Sequence, residues 1–200
     1  MKTIVLTTAL LLATVFGINN FTYADTIKNE QAYTTLTGVS SINKIEVHGN
    51  VELYVSDGAT DQIKVYNQYY KESALVQNQN GTLCISSYKT EKLVVWVTAS
   101  DLHSLAVYDN AQVKSFGRLS LIDFDVALYN NASAQLNIDA FQANVTLNDN
   151  AKASLSGYIS LGELKYNNTS VLNTADLISE SLKKTNVDAA KDSSADFVSL

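Results

Sequence analysis

Proline is absent from all 200 residues of this chain, although average usage of roughly 5% would place about ten there. Proline cannot donate a backbone hydrogen bond, so its absence suits a chain in which nearly every strand is central in a sheet. Cysteine occurs once, at Cys84. A lone thiol closes no internal disulfide. Its place on the apolar run Leu83 to Ser86, with no Lys, Arg or His close in sequence, predicts a small buried apolar residue rather than a reactive one. Arginine also occurs once, at Arg118, and the net charge is −6. No basic cluster interrupts the sequence, which argues against nucleic acid as a partner and against anionic membranes.

Apolar runs of membrane-spanning length, roughly 20 residues, are missing as well. The run Ile4 to Phe16 is preceded by Lys2, broken afterwards by Gly17, Asn19 and Asn20, and followed by the small-residue site Thr22-Tyr23-Ala24. These are the parts of a secretory signal. Cleavage is expected after residue 24, leaving residues 25–200 as one exported domain in the periplasm, at the outer-membrane surface or outside the cell. No Cys follows the run, so no lipid attachment through an N-terminal thioether is indicated.

What is present is a repeat. Four phrases recur in register: Tyr108-Asp109-Asn110-Ala111, Tyr129-Asn130-Asn131-Ala132, Asn148-Asp149-Asn150-Ala151 and Tyr166-Asn167-Asn168-Thr169, with the second asparagines 21, 19 and 18 residues apart. A period near 20 residues marks units that cannot bury an apolar face alone and must stack. Between the phrases run short alternations such as Val126 and Leu128, Leu136 and Ile138, and Val145 and Leu147. That is the period of a strand with one face buried. The expected architecture is an all-β, single-domain β-solenoid, a parallel β-helix whose coils rise by about 4.8 Å.

The first half is strand-like but less regular, with Ile45-Glu46-Val47, Val51 to Val55, Ile63 to Tyr66, Leu83-Cys84-Ile85 and Leu93 to Val97 separated by His48-Gly49-Asn50, Asp57-Gly58 and Asn80-Gly81. These turns carry residues that tolerate positive φ. The polar ends, within about 25–40 and 183–200 (Thr26 to Thr37 and Lys183 to Ser194), are expected to cap the stack.

The residues Ile45 to Leu53, then Leu83-Cys84-Ile85-Ser86, then Val95-Trp96-Val97-Thr98 followed by coils with small turns, resemble the GIN domain, the autotransporter adhesin head family common in Bacteroidetes. The resemblance covers about Ile42 to Ile178. It implies a right-handed β-helix and an envelope or extracellular location, and it implies no established biochemical activity. Turns of the family carry Ser-Gly-Ala-Gly-like sequences where this chain has Asp/Asn-Asn-Ala.

Two columns of candidate residues follow from the stacking. Asn110, Asn131, Asn150 and Asn168 are expected to lie above one another, each in the left-handed conformation with its amide bonded to the next coil. The other reading of this column adds Asp109, Asn130, Asp149 and Asn167 as a polar groove for a glycan or calcium, although calcium prefers several converging carboxylates. Tyr108, Tyr129 and Tyr166 form the second column, which either stacks against sugar rings or packs on neighbouring coils. Asp123 and Asp125 are the only tight acidic pair in the coils, and alternation places both outside. His48 and His103 lack metal-ligand spacing. No Ser-His-Asp order, phosphate loop or Cys-His pair occurs. The expected function is therefore a non-catalytic, adhesin-like binding or display module for a surface or polymeric ligand such as a glycan, without cofactor or metal. The alternatives are an envelope component that self-assembles through its edges and, further off, a polysaccharide lyase or hydrolase.

Overall fold

The computed structural model describes residues 33–36, 41–66 and 74–189; the secretory signal and the outer parts of both expected caps lie outside them. Thirteen strands are formed: β1 (Thr34–Leu36), β2 (Lys44–Gly49), β3 (Val51–Asp57), β4 (Gln62–Tyr66), β5 (Ala74–Gln79), β6 (Thr82–Ser87), β7 (Leu93–Ala99), β8 (Ser104–Val107), β9 (Gln112–Ser115), β10 (Leu119–Leu128), β11 (Ser133–Leu147), β12 (Lys152–Tyr166) and β13 (Val171–Asn186). Strict alternation drives them. In β2, β3, β6 and β7 every second side chain is buried, and these contribute Ile45, Val47, Leu53, Val55, Ile85 and Val95 to one continuous core. Each such side chain contributes about 1.5–3 kcal/mol on burial.

The architecture is all-β, but the sheet is a mixed one that curls into an open half-barrel, where the expectation was a parallel β-helix throughout. Parallel pairing links successive rungs. β10 pairs β8 and β11, β11 pairs β9 and β12, and β12 pairs β13, so the chain meets itself one period later, as Val126 beside Val145 and Ala134 beside Ala153. The antiparallel strands come from the irregular first half. β5 folds onto β6 through Asn80-Gly81, both at positive φ, while β4 lies back on β7 and β1 on β4.

Chain order and stacking order also differ. The rung β2–β3 sits between the later rungs β6–β7 and β8–β9. At the opposite end β13 is the last rung, and its apolar Leu172, Leu177 and Leu182 are only partly covered against the core. Lys183 and Lys184, expected in a cap, are residues of this strand. Lys184 occupies the column of the buried Leu164 and its Nζ donates to Thr174 Oγ1 at 2.7 Å.

Cys84 is not in the core. It faces outward on β6, half-buried, with Sγ 3.7 Å from Glu46 Oε2, because Leu83 and Ile85 take the two inward positions around it.

Candidate functional site

Three of the four repeated phrases form a turn that closes with a hydrogen bond, from Ala111 N–H to the Tyr108 carbonyl, Ala132 to Tyr129 and Ala151 to Asn148; in the fourth, Ser170 N–H donates to Asn167 Oδ1 at 2.9 Å instead. The left-handed residue is the first of the polar pair, with φ of 61° at Asp109, 59° at Asn130 and 57° at Asp149, not the second as the asparagine column predicts. Side chains of this first column form the ladder. Gly49 N–H donates to Asp109 Oδ2 at 3.0 Å, Asp109 N–H to Asn130 Oδ1 at 3.2 Å, and Asn130 N–H to Asp149 Oδ2 at 2.9 Å. Short acceptor side chains that tolerate left-handed backbone serve both needs at once.

The asparagines of the second column are exposed and only partly joined. Asn131 Nδ2 donates to Asn110 Oδ1 at 3.3 Å, whereas the Asn150 side chain makes no hydrogen bond among the described residues. Asn168 belongs to the neighbouring column. Its side-chain oxygen accepts from Asn186 at 2.8 Å, and its N–H reaches Asp188 Oδ2 at 2.8 Å.

Tyr108 and Tyr129 stack on one another at 4.7 Å with 3° between ring planes, and Tyr108 stacks on His48 at 4.4 Å. Both faces of Tyr108 and one face of Tyr129 are thus covered by other rings. Tyr166 is not in this column. The pair Thr146–Lys165 puts Tyr166 one residue further on, level with the core residue Leu147, and it packs against the core. An 18-residue spacing of phrases on a 19-residue register explains the shift. His103 lies at the surface, with Nε2 3.1 Å from Asp101 Oδ1. Asp123 and Asp125 both point outward beside buried Phe124 and Val126. Among the described residues no group of three His, Cys, Asp or Glu side chains is placed to hold a metal.

A different surface gathers more. On the outer side of β4, β7, β3, β9, β11, β12 and β13, two rows of side chains cross the strands. One runs Lys64, Trp96, Tyr54, Lys114, Gln135, Ser154 and Asn173; the other runs Tyr66, Val94, Glu52, Gln112, Ser133, Lys152 and Val171. Seven strands at about 4.8 Å spacing make each row about 29 Å long.

The N-terminal part of this face is aromatic. Trp96 stacks on Tyr54 at 4.8 Å and meets Phe116 at 4.9 Å and Tyr66 at 6.3 Å, and Tyr66 meets Tyr33 at 5.2 Å. Phe116 is 61% exposed and Tyr33 50%. Offset and tilted rings are the favoured arrangements of such clusters.

The other part is an open groove of about 460 Å³, rimmed by Gln112, Lys114, Ser133, Gln135, Lys152 and Ser154, with Val113, Ala134, Ala153 and Val171 also lining it. Glu52 joins the two parts. It accepts from Lys114 Nζ at 2.7 Å and Tyr54 Oη at 2.9 Å, with Lys92 Nζ at 3.7 Å. The Lys114 hydrogen bond foremost keeps its carboxyl below the usual range, against the opposing effect of burial. Lys114 also lies 5.6 Å from the Tyr54 ring centre, and Lys64 lies 5.3 Å from that of Tyr33, within cation–π range. Sequence reading missed this face because its residues come from strands whose stacking order departs from their chain order. The available signal was the outward alternation of Tyr54, Trp96 and Lys114 within their own strands.

Fold and face together define an all-β module that presents an extended open surface. The sequence matches, over residues 41–197, the family described as "Putative auto-transporter adhesin, head GIN domain", and the chain belongs to that family. A comparison with curated proteins finds no match. Solved structures similar in fold include a "putative adhesin" of Parabacteroides distasonis, with TM-score 0.58, 12% identity and 78% of each chain covered. A "putative adhesin" of Parabacteroides merdae gives 0.52, 15% and 78% of each. A "putative lipid binding protein" of Parabacteroides distasonis gives 0.61 and 8%, covering 76% of this chain and 77% of that one. At these identities the likeness is one of fold.

Proposed function

We propose that this chain is an exported, non-catalytic binding module that holds an extended glycan along the outer face built from β4, β7, β3, β9, β11, β12 and β13. The observation that carries the reading is the juxtaposition of an aromatic cluster, with Phe116 and Tyr33 exposed, and an open groove rimmed by amides, hydroxyls and lysines on one face about seven strands wide. Aromatic rings offer sugars a flat apolar partner, and the amides and hydroxyls beside them supply directional bonds. Each contact is weak, so affinity accumulates over several rungs. Tyr108 and Tyr129 are the poorer platform, since Tyr108 is enclosed between His48 and Tyr129, whereas the other cluster ends in the exposed rings of Phe116 and Tyr33. The parallel rungs from β8 to β13 are read as a short β-solenoid segment that gives this face its regular spacing.

Assembly through the edge of β13 is the weaker alternative. Lys184 sits in a core column at that edge, and an inward charge on an edge strand discourages a further strand from pairing.

The test is a glycan array and cell-wall pull-down with residues 25–200, beside the variants Phe116→Ala, Lys152→Ala and Tyr108→Ala and an assay for reducing ends and unsaturated products. Binding lost in the first two variants and retained in the third supports the reading. Turnover proportional to protein, or undiminished binding by the folded Phe116→Ala and Lys152→Ala variants, sinks it. Export is tested separately by mass spectrometry of periplasmic or secreted material, where retention of Met1 to Ala24 would refute cleavage.

A further inference from the structure

We infer that the ligand of this face is an anionic polysaccharide, one that carries carboxylates at regular intervals, rather than a neutral glycan. The inference rests on the binding reading above and adds the charge of the partner.

The reason is a separation of charge that the chain order hides. The whole chain carries a net charge of −6, yet the two outward rows contain Lys64, Lys114 and Lys152. A fourth, Lys92, reaches in to 3.4 Å from Gln112 Oε1. Glu52 is the one carboxylate in the rows, so the rows hold three ammonium groups against one carboxylate, an excess of two positive charges on an acidic protein. Glu52 is already engaged with Lys114 and Lys92. Lys64 lies over Tyr33, and Lys152 forms no ion pair among the described residues.

The cations are spread along the face rather than clustered. Lys64 on β4 and Lys114 on β9 are three strand steps apart, about 14 Å, and Lys114 and Lys152 on β12 are two steps apart, about 10 Å, at about 4.8 Å per step. A compact phosphate would be met by converging donors, whereas spaced ammonium groups complement a chain with spaced charges. The aromatic cluster between Lys64 and Lys114 supplies the ring-stacking surface that a sugar chain needs and a simple polyanion does not.

The experiment measures binding of residues 25–200 to polygalacturonate, to neutral dextran and to vesicles of anionic phospholipid, at about 20 and 200 mM salt, with the variants Lys152→Gln and Lys64→Gln/Lys152→Gln. The expected result is retention on polygalacturonate that weakens several-fold with salt, because exposed charge pairs are screened. The double variant should bind it about tenfold less well while keeping the wild-type circular dichroism spectrum. Equal binding of dextran and polygalacturonate, insensitive to salt, would overturn the anionic assignment and leave the glycan reading intact. Binding to anionic vesicles alone would overturn both, as would failure to bind any polymer.

Discussion

Replacing Asp149 by alanine tests the physical account of the stacked turns. Asp149 adopts φ of 57° and its Oδ2 accepts the Asn130 N–H at 2.9 Å. Alanine in the left-handed region costs about 1 kcal/mol or somewhat more, and losing one hydrogen bond of this kind costs about 1 kcal/mol net. The sum is about 2 kcal/mol. In a chain of this size that corresponds to a fall in melting temperature of roughly 4–8 °C. Three companions separate the contributions. Asp149→Asn keeps both the acceptor and the tolerance of positive φ and should be near neutral. Asp149→Gly removes the acceptor but relieves the backbone, and should lie about 1 kcal/mol below wild type. Asn150→Ala alters an exposed side chain with no hydrogen bond among the described residues and should stay within about 0.5 kcal/mol. The assay is urea denaturation of residues 25–200 followed by circular dichroism, with the denaturant slope checked for constancy because stacked repeats can lose two-state behaviour. Asp149→Ala no worse than Asp149→Gly would refute the backbone argument. Asn150→Ala as costly as Asp149→Ala would return the ladder to the second column.

Glycine positions give a sharper contrast. Gly157 has φ of 99° and a Cβ there would collide with the Ile138 carbonyl, whereas Gly117 has φ of 84° with nothing within 4 Å. Gly157→Ala should therefore unfold the last rungs or cost about 3 kcal/mol or more, and Gly117→Ala only about 1 kcal/mol; equal losses by thermal melting would contradict this. Burial of Asp61 raises its carboxyl affinity for protons, but bonds from the N–H groups of Ile42 and Ser100 and from Ser100 Oγ outweigh it and hold the pKa below the usual value. With a lowered folded pKa, this stabilisation is present above about pH 4, the unfolded value, and is lost as pH falls through the folded pKa. Asp61→Asn should flatten the acid limb of the stability curve, and an unchanged limb would count against the assignment. Burial, followed by the charge of Glu46, pushes the Cys84 thiol above its usual range. Cys84 should therefore react with iodoacetamide at pH 8 more slowly than free glutathione and faster in Glu46→Gln; reaction faster than glutathione would refute this.

Strand content and facing were legible in the sequence because both are local. Alternation at period 2 put Val126, Leu128, Val145 and Leu147 inside and Asp123 and Asp125 outside, and backbone geometry ties each residue's side to its neighbour's. The repeat near 20 residues likewise revealed stacking, since the Tyr/Asn-polar-Asn phrases mark one turn per rung. Family membership was readable for the same reason, from the strand runs around Ile45, Leu83 and Trp96. Smaller offsets escaped. The one-residue shift that moves Tyr166 into the core column and Asn168 out of the asparagine column depends on how β11 and β12 pair, and a one-residue slip exchanges inside for outside.

Only tertiary structure decided which rungs are neighbours. β2–β3 lies between β6–β7 and β8–β9, a placement set by long-range backbone pairing that leaves no periodic trace. The mixed character of the sheet arose there too, through the β5–β6 hairpin and the return of β4 onto β7. The same long-range pairing set Lys64, Trp96, Tyr54 and Lys114 side by side although up to 60 residues separate them along the chain. A chain that shows no basic cluster in sequence thereby sets lysines and aromatic rings on one face, because strand pairing and not sequence order makes them neighbours.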